Sequence, residues 1–224
     1  MSTRAVAGTA LVSAALAIAA SLAIAQSSTD AGKTKKKPIS GDPYLLSVDP
    51  VSGEKLDPAK TPVARTHEGR TILFASEETA KRFDADPRAV LLAVDRKMTE
   101  AQSAFYPTED CPVSGHATGG EPIEIVHRNR LVRLCCTDCL TPFKKDPGPY
   151  LAKLDAAAIA AQKADYPLGT CPVSGEKLGS MGEPLDVVAG HRLFRFCCGG
   201  CLEKFHANPQ AVVAKVDAAA KAKE

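Results

Sequence analysis

The chain has 224 residues, of which 45% are hydrophobic, 24% are charged and only 5% are aromatic, with no tryptophan. This is the composition of an ordinary soluble protein and is too polar for a protein with several membrane spans. The formal net charge of +2 rules out a strong electrostatic case for nucleic-acid binding, because it implies no basic surface able to neutralise several phosphates. The eight cysteines are the unusual feature, and their positions decide the functional interpretation.

The N-terminal residues have the layout of a secretory signal peptide. Arg4 is the only charged residue before Asp30, and an alanine-rich apolar stretch runs from Ala5 to Ala25. The stretch ends in Ala23-Ile24-Ala25, the small-x-small form of a cleavage site. We therefore predict that residues 1–25 are a cleaved signal peptide. The mature chain would then have no membrane span and would be periplasmic or secreted. An uncleaved membrane anchor is the alternative, because the stretch could just span a bilayer.

Residues 26–43 are predicted to be a flexible linker. Four lysines follow the predicted cleavage site closely: Lys33, Lys35, Lys36 and Lys37. Such short basic runs are usually solvated. Contact with an acidic envelope surface, or with an envelope protein, is the alternative interpretation.

The remainder of the chain is one unit written three times, with a period of about 60 residues. The phrase Cys111-Pro-Val-Ser-Gly115 recurs as Cys171-Pro-Val-Ser-Gly175, and Asp49-Pro-Val-Ser-Gly53 is the same phrase without its cysteine. A later phenylalanine also recurs, at Phe83, Phe143 and Phe205. We predict three units, called here the first repeat (residues 44–105), the second repeat (residues 106–165) and the third repeat (residues 166–224).

Each repeat is predicted to be a small α+β unit. After the opening turn, alternating apolar residues predict two strands, such as Ile123–His127 and Leu131–Leu134, joined by a turn at 128–130 (189–191 in the third repeat). A short helix then carries the last cysteine and the recurring phenylalanine. An Asp-Pro or Asn-Pro pair interrupts it, and a longer helix follows. The apolar stripe of the longer helix comprises Leu91, Val94 and Met98; Leu151, Leu154 and Ala158; and Val212, Val213 and Val216.

The eight cysteines are divided equally between the second and third repeats. Each set has one cysteine in the opening turn, then a double cysteine and a last cysteine: Cys111, Cys135, Cys136 and Cys139; Cys171, Cys197, Cys198 and Cys201. The double cysteine is predicted to lie on the short helix, where its members are three and four residues from the last cysteine and each shares a helix face with it. The hairpin would bring the first cysteine against that face. Converging thiolates favour Zn(II) or Cu(I). Because there are two such sets, we predict about two ions per chain.

The double cysteines leave the ligand set open. Consecutive side chains on a helix point about 100° apart, so one of each pair would lie off the metal. The preferred ligand sets are therefore Cys111, Cys135 and Cys139 in the second repeat and Cys171, Cys197 and Cys201 in the third. Cys136 and Cys198 are then either fourth ligands or spare thiols.

Over residues 106–210 this pattern resembles the YHS/TRASH class of heavy-metal-binding modules. The resemblance rests on Cys-Pro-Val-Ser-Gly, a hairpin, and then Cys-Cys-x-x-Cys-x-x-x-Phe. It implies a small treble-clef-like zinc-finger fold for each repeat and a role in metal trafficking, resistance or sensing. Ser114 and Ser174 depart from the pattern, since many zinc knuckles have a second cysteine there. The first repeat matches only as a scaffold, and we predict that it binds no soft metal, because its thiol positions hold other residues: Asp49, Ala75, Ser76 and Thr79.

Two other interpretations of the cysteines stay open. In an oxidising compartment, an even number of cysteines usually forms disulfides, and the protein would then be a structural or interaction protein of the envelope. Adjacent cysteines bond poorly to each other, however, so only one easy bridge per repeat is expected. The Cys136-x-x-Cys139 and Cys198-x-x-Cys201 pairs would also suit thiol–disulfide redox chemistry.

The remaining polar residues give little support for an enzyme. The sequence has no paired carboxylates, Ser-His-Asp order or phosphate-binding glycine loop, and we predict no catalytic residues. His67 and His127 occupy the same repeat position. Because the first repeat lacks the thiols, this match predicts a role in the hairpin and not in metal binding. His116, close to the opening turn, is the histidine best placed to complete a metal site, but we do not predict a histidine ligand.

Overall fold

The computed structural model describes residues 41–223; the predicted signal peptide and most of the predicted linker lie outside the described residues. The same order of elements occurs three times. The elements are β1 (Val63–His67), β2 (Arg70–Phe74), α1 (Glu77–Ala85) and α2 (Pro87–Ser103); β3 (Ile123–His127), β4 (Arg130–Leu134), a 3-10 turn (Thr137–Cys139), α3 (Leu140–Lys145) and α4 (Gly148–Gln162); and β5 (Leu185–Ala189), β6 (Arg192–Phe196), α5 (Gly199–Ala207) and α6 (Pro209–Lys221). The α+β prediction is thereby confirmed. Within residues 41–223, none of the helices combines the length and the apolarity needed to cross a membrane.

The strands form three antiparallel hairpins, each with two residues in its turn. In the second repeat, Ile123 lies opposite Leu134 and His127 lies opposite Arg130. The turn residues have positive φ, with 47° at Arg128 and 71° at Asn129. Two such residues fit a type I′ turn, whose twist matches that of the strands. The predicted turns were therefore one residue too long, because Arg130 and Ala189 belong to strands.

Each repeat has its own small hydrophobic core. The recurring phenylalanines Phe83, Phe143 and Phe205 are almost completely buried. Two of them pack on a strand aromatic, with ring centroids 5.2 Å apart for Phe74 and Phe83 and 4.8 Å apart for Phe194 and Phe205. The predicted helix stripes are confirmed at the buried positions, which are Val94, Met98, Leu154, Ala158, Val212 and Val216.

Glutamines hold the second and third hairpins to the long helix of the preceding repeat. Near the end of α2, Gln102 donates from Nε2 to the carbonyl of Asn129 (2.8 Å) and accepts at Oε1 from the N–H of Leu131 (2.8 Å). Gln162, at the end of α4, repeats this arrangement with His191 (2.7 Å) and Leu193 (2.9 Å). The sequence interpretation missed these contacts. A glutamine at the same repeat position in two repeats was the available signal.

An arginine–aspartate ion pair joins each hairpin to the long helix of its own repeat. The pairs are Arg70 with Asp95, Arg130 with Asp155, and Arg192 with Asp217. Each arginine is the first residue of the second strand of its hairpin. From there its side chain reaches an aspartate in the middle of the long helix of the same repeat. Both members of the pair occur in all three repeats, as the recurring phenylalanine does.

The hairpin turns of the second and third repeats meet at Asp42, and Asn129 links them to the first hairpin. The carboxylate of Asp42 forms an ion pair with Arg130 and accepts a hydrogen bond from the N–H of Gly190 (2.6 Å). The side-chain amide of Asn129 donates to the carbonyls of Asp42 (3.0 Å) and Thr71 (2.8 Å). Residues from all three repeats and from the end of the predicted linker are thus joined by polar contacts.

Replacing Gln102 with alanine tests the contact between α2 and the next hairpin. Gln102 is 6% exposed, so its loss leaves the buried N–H of Leu131 and carbonyl of Asn129 unpaired. We expect the free energy of unfolding to fall by about 1–3 kcal/mol, measured by urea denaturation. Glu100→Ala, an exposed change on the same helix, is the control and should alter it by less than about 0.5 kcal/mol. Equal stability of the two variants would contradict the assignment.

Candidate metal centre

The Pro-Val-Ser-Gly phrase builds a tight turn that buries the cysteine in front of it. In the second repeat, the N–H of Gly115 donates to the carbonyl of Cys111 (2.8 Å), and the N–H of Cys111 donates to the carbonyl of His116 (2.8 Å). Gly115 has a φ of 75°, a conformation that glycine adopts readily. The third repeat has the same bonds around Cys171, and both Cys111 and Cys171 are 1% exposed.

The double cysteines precede the helix, so the prediction that they lie on it was wrong. Cys135 directly follows β4, and Cys136 has an extended backbone with φ −159°. Cys198 is likewise extended, at φ −163°, before α5. The chain leaves a strand at this point, and the residue before a helix has non-helical geometry. The expected 100° divergence of consecutive side chains therefore does not apply.

In each of the two repeats, three thiols converge. The Sγ atoms of Cys111, Cys135 and Cys139 all lie within 4.8 Å of one another, as do those of Cys171, Cys197 and Cys201. These are the two preferred ligand sets predicted from the sequence. Within the described residues, both groups consist of cysteines only.

The fourth thiol of each repeat lies beside two of the other three. The Sγ atom of Cys136 is 3.8 Å from that of Cys135 and 3.7 Å from that of Cys139, and Cys135 and Cys139 are themselves 3.7 Å apart. The corresponding distances in the third repeat are 3.9, 3.8 and 3.7 Å. A tetrahedral ion with metal–sulfur bonds of about 2.3 Å has its sulfurs about 3.8 Å apart. The spacing therefore suits a thiolate-bound ion, and no disulfide joins any of the eight cysteines in the structure.

Backbone N–H groups stabilise one thiolate in each cluster. Burial by itself raises the pKa of Cys111, but hydrogen bonds from the backbone of Ser114, Cys135 and Val113 and from the Ser114 side chain lower it to about 6. The pKa of Cys171 falls to about 6 for the same reasons. The first cysteine of each cluster is therefore largely deprotonated at neutral pH, which is the form that binds metal.

The last cysteine of each cluster has the opposite tendency. Burial and hydrogen bonds to the neighbouring thiols raise the pKa of Cys139 and of Cys201 to about 12. Each of these thiols must lose its proton when an ion binds, so metal affinity should increase with pH.

The serines that depart from the zinc-knuckle pattern contact a cysteine of the cluster. The Oγ atom of Ser114 lies 3.3 Å from Sγ of Cys135, and Oγ of Ser174 lies 3.3 Å from Sγ of Cys197. Groups that hydrogen-bond to a metal ligand orient it and tune its basicity. The two serines fill this supporting position in both repeats.

In the first repeat, a carboxylate occupies the position of the first thiolate. Asp49 accepts hydrogen bonds from the backbone N–H groups of Val51 (2.7 Å), Ser52 (3.0 Å) and Ala75 (2.7 Å). The hydroxyl of Thr79, at the repeat position of the last cysteine, donates to Asp49 over 2.6 Å. A direct hydrogen bond therefore spans the place where the other repeats have a thiol cluster.

The histidines take part in packing. His67 and His127 pack edge-on against Phe83 (5.9 Å between ring centroids) and Phe143 (5.3 Å), which confirms the predicted hairpin role. His116 is exposed and belongs to neither three-thiol group.

Comparisons with protein-family models, with curated proteins and with solved structures found no match to this chain. The functional assignment therefore depends on the geometry of the two clusters.

Replacing Asp49 with asparagine tests the buried carboxylate of the first repeat. Burial raises the pKa of Asp49, but the hydroxyl of Thr79 and the three backbone donors outweigh it, and the net pKa is lowered. The stabilisation is therefore complete above the unfolded-state pKa of about 3.9 and is lost as pH falls through the lower folded-state value. We expect Asp49→Asn to reduce the free energy of unfolding by about 1–3 kcal/mol at pH 7, with a smaller difference from wild type at pH 3.

Glu54→Gln is the matched control for this change, because it neutralises an exposed carboxylate in the same turn. Urea denaturation at both pH values measures the effect. A loss of stability in Asp49→Asn that is the same at pH 3 and pH 7 would show that the carboxylate charge is not responsible.

Proposed function

We propose that this chain is an exported protein that binds two thiophilic ions, Zn(II) or Cu(I), one in the second repeat and one in the third. Its function would be the capture, buffering or trafficking of the ion. The observation that carries this proposal is the spacing of the thiols in two matched clusters. The sulfurs of the double cysteine and the last cysteine lie 3.7–3.9 Å apart, and the first cysteine lies within 4.8 Å of two of them. Soft thiolate ligands select Zn(II) and Cu(I) over harder ions.

We further propose that each repeat is a treble-clef-like module of the YHS/TRASH type. The succession of a knuckle turn, a hairpin and a helix start supports this assignment, because the thiols come from the turn and from the junction between hairpin and helix. Ser114 and Ser174 hydrogen-bond to the cluster where other knuckles have a ligand, and the four thiols of each repeat would form a complete set without them.

The proposal places the protein outside the cytoplasm and assigns it a binding role without catalysis. Support for export comes from Arg4, the apolar stretch 5–25 and the cleavage motif. The proposed partner is the metal ion itself, with an envelope protein as a possible second partner through the lysine-rich linker.

Metal stoichiometry and free-thiol counts of the mature protein test the proposal. Native mass spectrometry should find two ions per chain, and a chelator should release both together with titratable thiols. Cys139→Ala and Cys201→Ala should each remove one ion, because each removes a buried central thiol. Thr79→Ala, the matched change in the first repeat, should leave both ions bound.

Disulfide bonding is the competing outcome of the same experiment. A chain with one bridge in each cysteine-bearing repeat would be lighter than the reduced chain by about 4 Da, and it would carry no ion. That result would overturn the proposal and favour the structural or redox interpretation.

A further inference from the structure

The two clusters have the same cysteines but different exposure. Their first cysteines, Cys111 and Cys171, are both 1% exposed, and their last, Cys139 and Cys201, are 6% and 5% exposed. The double cysteines differ. Cys135 is half-buried and Cys136 is exposed, whereas Cys197 is buried and Cys198 is half-buried. The asymmetry is therefore confined to one side of the cluster.

One repeat position next to the opening turn also differs between the two repeats. Leu56, Thr118 and Leu178 are equivalent, because each donates its backbone N–H across the opening turn, to Ser47 (2.8 Å), Glu109 (2.9 Å) and Gly169 (3.0 Å) respectively. Leu178 packs against the core that contains Cys171, Cys197 and Cys201, and Leu56 is buried in the core of the first repeat.

Thr118 is the polar residue at this position. Its hydroxyl donates to the carbonyl of Glu109 (2.9 Å), and the residue lines an open cleft of about 820 Å³. The second repeat therefore has a polar side chain and a solvent cleft where the third repeat has a leucine.

The thiols at the Cys136 and Cys198 positions also pack differently. Cys198 packs against the hydrophobic core of the third repeat, whereas Cys136 is not among the side chains that pack against the core of the second repeat. The apolar shell around a metal site controls the access of solvent and of competing ligands.

We propose that the second repeat holds an exchangeable ion, which passes to a thiol-bearing acceptor by way of Cys136, and that the third repeat retains its ion. This inference rests on the proposed function. An incoming thiol loses its proton as its sulfur bonds to the metal, and the bond from the metal to Cys136 breaks. The released Cys136 thiolate takes up that proton, so charge and protons balance and no electrons are transferred. The buried cysteines of the cluster stay bound until later steps.

Zinc release from the loaded mature protein tests the inference without any substitution. A chromophoric chelator measures release, and glutathione serves as the thiol acceptor. We expect two phases of one ion each, with the fast phase about tenfold faster than the slow phase and dependent on glutathione concentration. Cys201→Ala, which keeps the ion of the second repeat, should show only the fast phase. Cys139→Ala should show only the slow phase.

Reciprocal substitutions test whether the side chain at the Thr118 and Leu178 position sets the rate of zinc release. Thr118→Leu should slow the fast phase and Leu178→Thr should accelerate the slow one, while two ions stay bound in each. Cys136→Ser should make the fast phase independent of glutathione, whereas Cys198→Ser, the matched control, should leave that dependence unchanged.

The outcomes separate this inference from the proposed function. Two bound ions that leave at one common rate, or a fast phase that persists in Cys139→Ala, would overturn the exchange asymmetry and leave metal binding intact. A protein that binds no zinc would overturn the proposed function itself.

Discussion

A buried anion holds each repeat together at the point where its opening turn meets the end of its hairpin. In the first repeat this anion is the carboxylate of Asp49, which accepts bonds from the turn and from the hairpin exit at Ala75. In the other repeats the thiolates of Cys111 and Cys171 accept the equivalent bonds. Backbone N–H groups that converge in a buried turn must have an acceptor, because an unpaired buried donor is costly. In the second and third repeats, two other thiols of the cluster lie next to this buried thiolate.

The three small cores depend on one another. A unit of about 60 residues buries little apolar surface and is only marginally stable alone. Gln102 and Gln162 each bind both edges of a hairpin turn in the following repeat, and Asp42 joins turns of the second and third repeats. Gln210, at the start of α6, donates to the carbonyls of Tyr44 (3.0 Å) and Leu46 (2.8 Å) and so connects the last repeat to the first. We therefore expect a substitution that destabilises one hairpin to destabilise the adjoining repeat as well.

The features that could be predicted from the sequence were those that depend on the spacing of residues close together in the chain. Alternation predicted β3 with its correct bounds, and helical spacing predicted the buried positions Val94, Leu154 and Val216. The three converging cysteines followed from their repeated spacing together with the hairpin that brings them together. The double cysteines were misplaced by that same helical reasoning, because it extended the helix back through Cys136, whose backbone is extended.

The contacts between repeats could not be predicted in this way. Gln102 and Leu131 are far apart in sequence, and nothing in the neighbourhood of either residue indicates the other. The role of Asp42 was hidden for the same reason, since it lies in a segment predicted to be a flexible linker. Exposure of Cys136 depends on what packs near it, which is a property of the assembled fold.

The hydrogen bond between Asp49 and Thr79 has an evolutionary consequence. Because the same N–H groups can donate to a thiolate or to a carboxylate, a duplicated repeat can lose its cysteines and still keep its turn and its hairpin joined. Loss of the ligands would then change the metal capacity of the chain without removing a structural unit. Tandem arrays of this kind could therefore gain or lose binding sites by a few point mutations while their length and architecture persist.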